Sequence, residues 1–250
     1  MKSKKIIWGI VFFIAMLVIA GATCFIVLHF FSDNDSKDYI KSTTASIAPN
    51  MAENHNIDWN KLHKKNKDVY SWIYIPDTKV DYAVVQPPKG ENDLFYLDKN
   101  LDKDYEFAGS IFSERMNKKD YSDPVTVLYG HNMLNGSMFA TLHKFKQHKF
   151  FKKHKQMYVY QPNRRLTYKI YSAYTYDDRH IMNSFDFSDS KTLKQYQKST
   201  LKPKALDKNV RKKTILDSNS KILTLSTCTS GASNTRYLVQ GVLVKDERTH

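Results

Sequence analysis

The stretch KILTLSTCTSGASNTRYLVQGVLVK, residues 221–245, contains two strand-like runs on either side of a polar loop. Lys221 to Thr227 and Tyr237 to Lys245 are rich in aliphatic and β-branched residues, whereas the loop is rich in Ser, Thr, Asn and Gly. The two runs predict strands that close the chain. Cys228 and Arg236 stand at the inner ends of these runs, so they would lie near each other if the two strands are neighbours.

Further strand-like runs lie upstream of this stretch. VYSWIYIPDTKVDYAVVQ, residues 69–86, is rich in β-branched and aromatic residues around Pro76-Asp77-Thr78, and it predicts two strands joined by a tight turn. The coarse result is a mainly β fold with a few helices, in which the strands form a closed or nearly closed barrel. The other predicted strands are Gly109 to Phe112, Pro124 to Gly130, Met157 to Tyr160 and Arg165 to Tyr176.

Three segments favour helices. Asn56 to Tyr70 combines a few apolar residues with many charges, which is typical of a short surface helix. Ser188 to Thr200 predicts a helix with Ser188 or Asp189 as its cap, and Ser137 is the candidate cap of another. The helix after Ser137 would have apolar residues at helical spacing, namely Met138, Leu142 and Phe145.

The first part of the chain differs in composition from the rest. From Ile6 to Phe31 no side chain is formally charged, and the run covers about 26 residues where about 20 cross the hydrocarbon core of a membrane. Lysines precede the run, and this excess of positive charge predicts a cytoplasmic N-terminus. We therefore expect a cytoplasmic stub and transmembrane anchor at 1–31, a stalk at 32–55, and an extracytoplasmic domain at 56–250 on the cell membrane.

Two alternatives compete with the anchor. Ala20-Gly21-Ala22 could be the cleavage site of a signal peptide, but the apolar run continues past it, whereas a signal-peptide core usually ends after about 7 to 15 residues. Cys24 could carry a lipid, but Thr23 is a poor fit to the small residue that normally precedes a lipidated cysteine. The permanent anchor is the preferred interpretation.

Charge and cysteine content limit the partners. The chain has 39 Lys and Arg against 25 Asp and Glu, a formal net charge of +14. For an exported domain this favours lipid headgroups and acidic wall polymers over nucleic acid. Since Cys24 lies in the apolar run, the exported domain has no disulfide, and Cys228 is a free thiol in a place where free thiols are uncommon.

Cys228, His131 and Arg236 are the candidates for chemistry. An inert buried cysteine is the simpler interpretation of Cys228, but an unpaired thiol outside the cell is vulnerable to oxidation. His131 follows a predicted strand, where catalytic groups commonly lie, although structural histidines are more frequent. An imidazole can accept the proton of a thiol, and a guanidinium can stabilise an oxyanion or form a surface ion pair instead.

The sequence also resembles a known family. TLSTC, Thr224 to Cys228, matches the TLxTC signature of sortases, and WIYIPDTKVDYAVVQ, AGSIF, VLYGHNM, GSMFATLHKFKQHKFFKKH and the terminal R-x-L-V strand are similar to class B sortase segments in the same order. The resemblance covers roughly Trp72 to Val244. It implies an eight-stranded β-barrel with N-terminal helices and a helix inserted in a late inter-strand loop, which agrees with the helix predicted at Ser188 to Thr200.

The resemblance implies an activity as well. Class B sortases are cysteine transpeptidases that cleave a C-terminal sorting motif of exported proteins through a thioester, here on Cys228, and transfer the product to an amine of the cell wall or of a pilin-like subunit. It assigns His131 as acid/base partner and Arg236 as oxyanion-side cation, although the spacing from Cys228 to Arg236 is short for the family. No cofactor or metal is implied. The peptide groove would include Ser226, Thr227, Asn92, Leu97 and Ile181.

Other interpretations stay open. A papain-like peptidase has its cysteine before its histidine, and wall L,D-transpeptidases keep the two close, so the order here argues against both. A non-catalytic wall-binding or adhesion module is the alternative from another class. His143, His148 and His154 lack the i, i+4 spacing of a metal pair, so no metal site is predicted. The basic run HKFKQHKFFKKHK could bind a polyanion, although its Phe residues fit a core-facing stripe.

Overall fold

The computed structural model describes residues 14–23, 57–229 and 234–249. Residues 14–23 are helical (α1), and their apolar side chains are exposed. Within the described residues no helix is both long enough and apolar enough to cross a membrane. The rest of the proposed anchor, Cys24 and the whole of the proposed stalk lie outside the described residues, so the anchor, its alternatives and the stalk stay predictions.

The described helices are short. They are Trp59–Lys65 (α2), Phe95–Leu97 (η1, a 3₁₀ helix), Ala140–Lys146 (η2, also 3₁₀), His148–Lys153 (α3), Ile181–Ser184 (α4) and Ser190–Leu201 (α5). Helix α2 is shorter than predicted because Val69 already belongs to a strand. Asp189 caps α5 by accepting a hydrogen bond from the N–H of Thr192, which confirms one of the two predicted caps.

The strands of the described chain are Val69–Tyr74 (β1), Asp81–Val85 (β2), Ile111–Phe112 (β3), Val125–Tyr129 (β4), Gln156–Gln161 (β5), Arg164–Asp177 (β6), Asn209–Val210 (β7), Ile222–Cys228 (β8) and Thr235–Arg248 (β9). They form one sheet in the order β5-β1-β2-β3-β4-β8-β9-β6-β7, and β5 pairs with β6 as well. This last pairing closes eight strands into a barrel and leaves β7 outside the ring. The predicted eight-stranded barrel is therefore confirmed.

Apolar side chains from the strands fill the barrel. Because successive residues of a strand point to opposite faces, one set of side chains faces the interior of the barrel. The buried set includes Ile73, Val84, Leu128, Leu223 and Val239, all within one continuous cluster. The strand ends, which leave this cluster, are therefore held on a rigid frame.

The segment after β4 differs from its prediction. Ser137 does not cap a helix: η2 begins after Phe139 without a side-chain cap, and Ser137 Oγ is buried with no partner in the described chain. Met138 has a φ of 52°, in the left-handed region, so a right-handed helix cannot pass through it. Met138, Leu142 and Phe145 are nevertheless buried, as their spacing predicts.

Candidate active site

Cys228 is the last residue of β8, and its thiol is free and exposed. The six residues before it in β8 are all buried. The strand therefore leads from the core to the surface and presents the thiol at its end. The interpretation of Cys228 as an inert buried cysteine is wrong.

Arg236 lies directly opposite Cys228 in the antiparallel β8–β9 ladder. Opposed residues in such a ladder have Cα atoms about 4.5 to 5.5 Å apart, so the ladder itself brings the two side chains together. Arg236 Nη1 donates to the Thr235 carbonyl at 3.2 Å, and among the described residues no carboxylate forms an ion pair with Arg236. The fixed positive charge is thus available next to the thiol.

His131 lies beyond the end of β4, the neighbour of β8 on its other side. Strands β4 and β8 are parallel, with Tyr129 opposite Ser226, and the Gly130 N–H donates to the Ser226 carbonyl at 3.2 Å. Since neighbouring strands are about 4.8 Å apart, His131 and Cys228 leave the sheet side by side at the same end of the barrel. The three candidates therefore come from the ends of three adjacent strands.

The His131 ring is held by two contacts. Its Nε2 is 2.8 Å from the Leu97 carbonyl, and the ring stacks on Phe107 with 6.0 Å between centroids. Since a carbonyl only accepts, Nε2 carries the hydrogen and Nδ1 is the free acceptor of the neutral ring. Burial lowers the pKa of His131, although the Leu97 carbonyl opposes this shift. The imidazole is therefore neutral at pH 7 and can accept a proton.

A family model described as the sortase domain matches residues 73–244, which contain all three strand ends and the three candidate side chains. The chain belongs to the sortase family. Sortase B of Listeria monocytogenes is 30% identical over 185 residues, covering 73% of this chain and 72% of that protein.

Solved structures show the same relationship. The sortase matches Clostridium perfringens sortase B with a TM-score of 0.67 and 33% identity, over 75% of this chain and 100% of that chain. It matches a Streptococcus pyogenes class B sortase involved in pilus biogenesis with a TM-score of 0.61 and 26% identity, over 75% of this chain and 98% of that chain. The protein is thus a cysteine transpeptidase whose structural neighbours are class B sortases.

Three of the predicted groove residues of the sortase adjoin the strand ends. Ser226 and Thr227 are buried in β8 just before Cys228, and Thr227 Oγ1 has no hydrogen-bond partner among the described residues. Leu97 is exposed at the end of η1, and its carbonyl is the group that His131 contacts. A role in the groove for Leu97, Ser226 and Thr227 stays a prediction.

The other two predicted groove residues have structural contacts. Asn92 accepts a hydrogen bond from the Leu94 N–H through its side-chain oxygen at 2.8 Å, which shapes the loop before η1. Ile181 is buried in an apolar cluster at the start of α4. A role in the groove for Asn92 and Ile181 stays a prediction.

Sequence reasoning missed two histidine contacts in the sortase. His180 places Nε2 2.6 Å from the buried carboxylate of Glu114, while its Nδ1 accepts from the Asn183 N–H and caps α4. Burial raises the pKa of Glu114, and the bond from His180 opposes that shift. His143 Nε2 lies 3.0 Å from the carbonyl of Cys228 itself. No local pattern marks these pairs, because each joins residues far apart in the chain.

Proposed function

We propose that this sortase cleaves a C-terminal sorting motif of exported proteins and transfers the product to an amine of the cell wall. The observation that carries this proposal is the juxtaposition at one barrel end: the exposed thiol of Cys228, Arg236 opposite it, and His131 at the end of the adjacent strand.

Each of the three residues has a distinct role in the proposed reaction. The thiolate of Cys228 attacks the scissile carbonyl, and Arg236 stabilises the oxyanion that forms. His131 receives the thiol proton and returns one to the leaving amine as the C–N bond breaks, which leaves a thioester on Cys228. The incoming amine then attacks the thioester, releases the thiol and forms the new amide bond.

The surroundings support these roles. A neutral His131, kept so by burial, is the form that can accept a proton. A guanidinium remains protonated at any pH an enzyme experiences, so Arg236 can provide positive charge but not general base catalysis. Leu97, Ser226 and Thr227 adjoin the site and would line the groove for the motif, with Asn92 and Ile181 further along it.

A second acceptor is favoured by one observation. The S. pyogenes class B sortase, similar in fold over most of its length, is involved in pilus biogenesis. A lysine amine of a pilin-like subunit is therefore the alternative to a wall amine. The same acyl-enzyme serves both, so the two differ only in the second half of the reaction.

We also propose a location. The uncharged run from Ile6 to Phe31, preceded by lysines, supports a single-pass anchor with its N-terminus in the cytoplasm and residues 56–250 outside. This places the proposed site on the same side of the membrane as exported substrates and wall precursors.

Intact-protein mass spectrometry tests the first half-reaction. The full chain, in detergent, is incubated with a library of peptides that vary the sorting motif. We expect a peptide-sized mass increase that hydroxylamine removes, because hydroxylamine cleaves thioesters, and none with Cys228→Ala. Absence of an adduct with every peptide, in a folded protein, would instead support a non-catalytic binding module.

Competing amines test the second half-reaction. The acyl-enzyme is offered wall-type peptides with a free N-terminal amine and, separately, peptides with an internal lysine. Preferential release by the first supports wall attachment, and preferential release by the second supports polymerisation.

A further inference from the structure

We infer that His143 is a positioning residue for the nucleophile: its ring takes the place of the missing strand neighbour and holds the backbone carbonyl of Cys228. This inference rests on the proposed function of Cys228. It concerns a contact with the backbone of the nucleophile residue and not with the substrate.

The contact follows from the way the β4–β8 ladder ends. In a strand, carbonyls two residues apart point to the same side. The Ser226 carbonyl points toward β4 and accepts from the Gly130 N–H, so the Cys228 carbonyl faces the same side. Strand β4 has ended by then, and His143 fills the next position with Nε2 at 3.0 Å from the Cys228 oxygen.

His143 is itself fixed in place. It lies in η2, and two other residues of this helix, Leu142 and Phe145, are fully buried in the barrel core. Its ring packs against Tyr237, with 5.1 Å between centroids, and Tyr237 is buried on β9 opposite Thr227. The donor is therefore anchored to the same strands that carry the proposed nucleophile.

The protonation of His143 suits this task. Burial lowers the pKa of His143, and nearby Lys146 lowers it further, while the bond to the Cys228 carbonyl opposes the shift. The ring is thus neutral at pH 7 and has a single N–H. Because a carbonyl only accepts, that hydrogen is on Nε2. His143 supplies a donor to Cys228 without adding a charge.

Both sides of the Cys228 backbone are then held. On the β9 side the ladder pairs Cys228 with Arg236, and on the open β4 side His143 holds the carbonyl. Without His143, Cys228 at the end of β8 would have a neighbour on the β9 side only. The thiol would then spend less time in the orientation that faces its proposed partners.

Three variants of the full chain separate the hydrogen bond from the bulk of the ring. His143→Phe keeps a ring against Tyr237 but removes the donor, whereas His143→Gln keeps an N–H donor. His148→Phe is the matched control, because His148 contacts the Asn209 side chain instead of Cys228. Single-turnover acylation by a reactive sorting peptide gives the rate and the KM, and thermal unfolding reports the fold.

We expect His143→Phe to lower the acylation rate about 10- to 10²-fold, since misplacing a reacting group by about 1 Å can cost 10²-fold. KM and Tm should stay close to those of the parent. His143→Gln should recover most of the rate, and His148→Phe should match the parent. A rate for His143→Phe within twofold of the parent overturns the inference, as does a folded His143→Gln variant that is no faster than the Phe variant.

Alkylation of Cys228 by iodoacetamide is a second test of the role of His143, and it does not depend on the sorting reaction. Peptide mapping by mass spectrometry distinguishes Cys228 from Cys24. We expect slower alkylation of Cys228 in His143→Phe than in the parent, and recovery in His143→Gln. If none of the peptides acylates the parent, the proposed function fails, but the alkylation rates still decide the role of His143. Equal alkylation rates of Cys228 in the parent and in His143→Phe reject that role.

Discussion

β6 and β9 form a long antiparallel ribbon, and its two ends use arginine differently. At one end Arg164 forms a double hydrogen bond with Asp246, at 2.9 and 2.8 Å, and Arg165 bonds Glu247. At the other end Arg236 has no carboxylate partner among the described residues and lies opposite Cys228. The same ladder therefore has a neutralised end and an end where the positive charge is left available.

The missing ion pair of Arg236 in the described part of the chain does not result from a lack of acidic residues nearby. Asp177 lies opposite Thr235, the residue before Arg236, but it bonds Arg179 at 2.8 Å. Arg211 donates to the backbone carbonyls of Ile170 and His154. Arg179 and Arg211 thus have partners of their own, whereas Arg236 forms no ion pair with a carboxylate among the described residues. The reactive end combines this charge with a neutral histidine and an exposed thiol.

The largest effect at the reactive end is expected from Cys228→Ala. Thioester formation and peptide cleavage should both fall to background, because the described chain has no second thiol to replace the nucleophile. The fold should persist, since the Cys228 side chain is exposed and contributes little packing. Mass spectrometry of the peptide-treated variant checks the first expectation and its Tm checks the second. Retained transpeptidation would refute the proposed nucleophile.

His131→Ala should have the next largest effect. Proton transfer by a positioned side chain typically contributes about 10² to 10⁴ in rate, so acylation should fall within that range. Peptide binding, measured by fluorescence anisotropy at equilibrium, should change little. The Leu97 carbonyl also loses its contact, so the Tm must be compared with that of the parent. A loss of activity that parallels unfolding would contradict a specific role in proton transfer.

The sequence was sufficient to predict the barrel, since most of its strands are long runs of β-forming residues separated by clear turns. It also pointed to Cys228 and Arg236 as neighbours, because two strong strands flank one loop. The TLxTC motif and the segment order then identified the family. These signals are local or lie within one hairpin, so a single sequence displays them.

The missed contacts depend on where elements end in space. His143 reaches the Cys228 carbonyl only because β4 ends one rung earlier, and this boundary is not visible in the composition of η2. The predicted cap at Ser137 failed because Met138 adopts a positive φ. The Glu114–His180 bond joins residues on separate elements, and each residue alone looks like an ordinary surface residue in the sequence.

Substitutions of Arg236 directly test the reactive end of the β6–β9 ribbon. Removing one oxyanion donor typically costs about 10² to 10³ in turnover, so Arg236→Ala and Arg236→Met should lose about that much acylation. Arg236→Lys should lose less activity than these two variants because it keeps the positive charge. It should still be slower than the parent because lysine cannot present two parallel donors.

Arg165→Met is the matched control for Arg236→Met, since it removes an arginine from the neutralised end of the ribbon. Its acylation rate should equal that of the parent. Rates within twofold of the parent for all three Arg236 variants would remove Arg236 from the site and leave the two ends of the ribbon functionally alike.

The smallest effect is expected at the neutralised end, from Asp246→Asn. Arg164 holds the pKa of Asp246 below its usual value, mainly through the hydrogen bonds between them. A carboxyl group with a lowered folded-state pKa stabilises the fold above its unfolded pKa of about 3.9, and this contribution is lost as the pH falls through the folded-state value.

The Arg164–Asp246 pair is partly exposed, so the stability lost by Asp246→Asn at pH 7 should be about 0.2 to 1 kcal/mol, and smaller in high salt. Urea unfolding of parent and variant should therefore give different free energies at pH 7, and the difference should shrink as the pH falls through the lowered pKa of Asp246. Asp178→Asn, at an exposed acid without an ion pair in the described chain, controls for the removal of one negative charge. Acylation by Asp246→Asn should be unchanged, and a loss of activity as large as that of the Arg236 variants would show that the two ends of the ribbon are not independent.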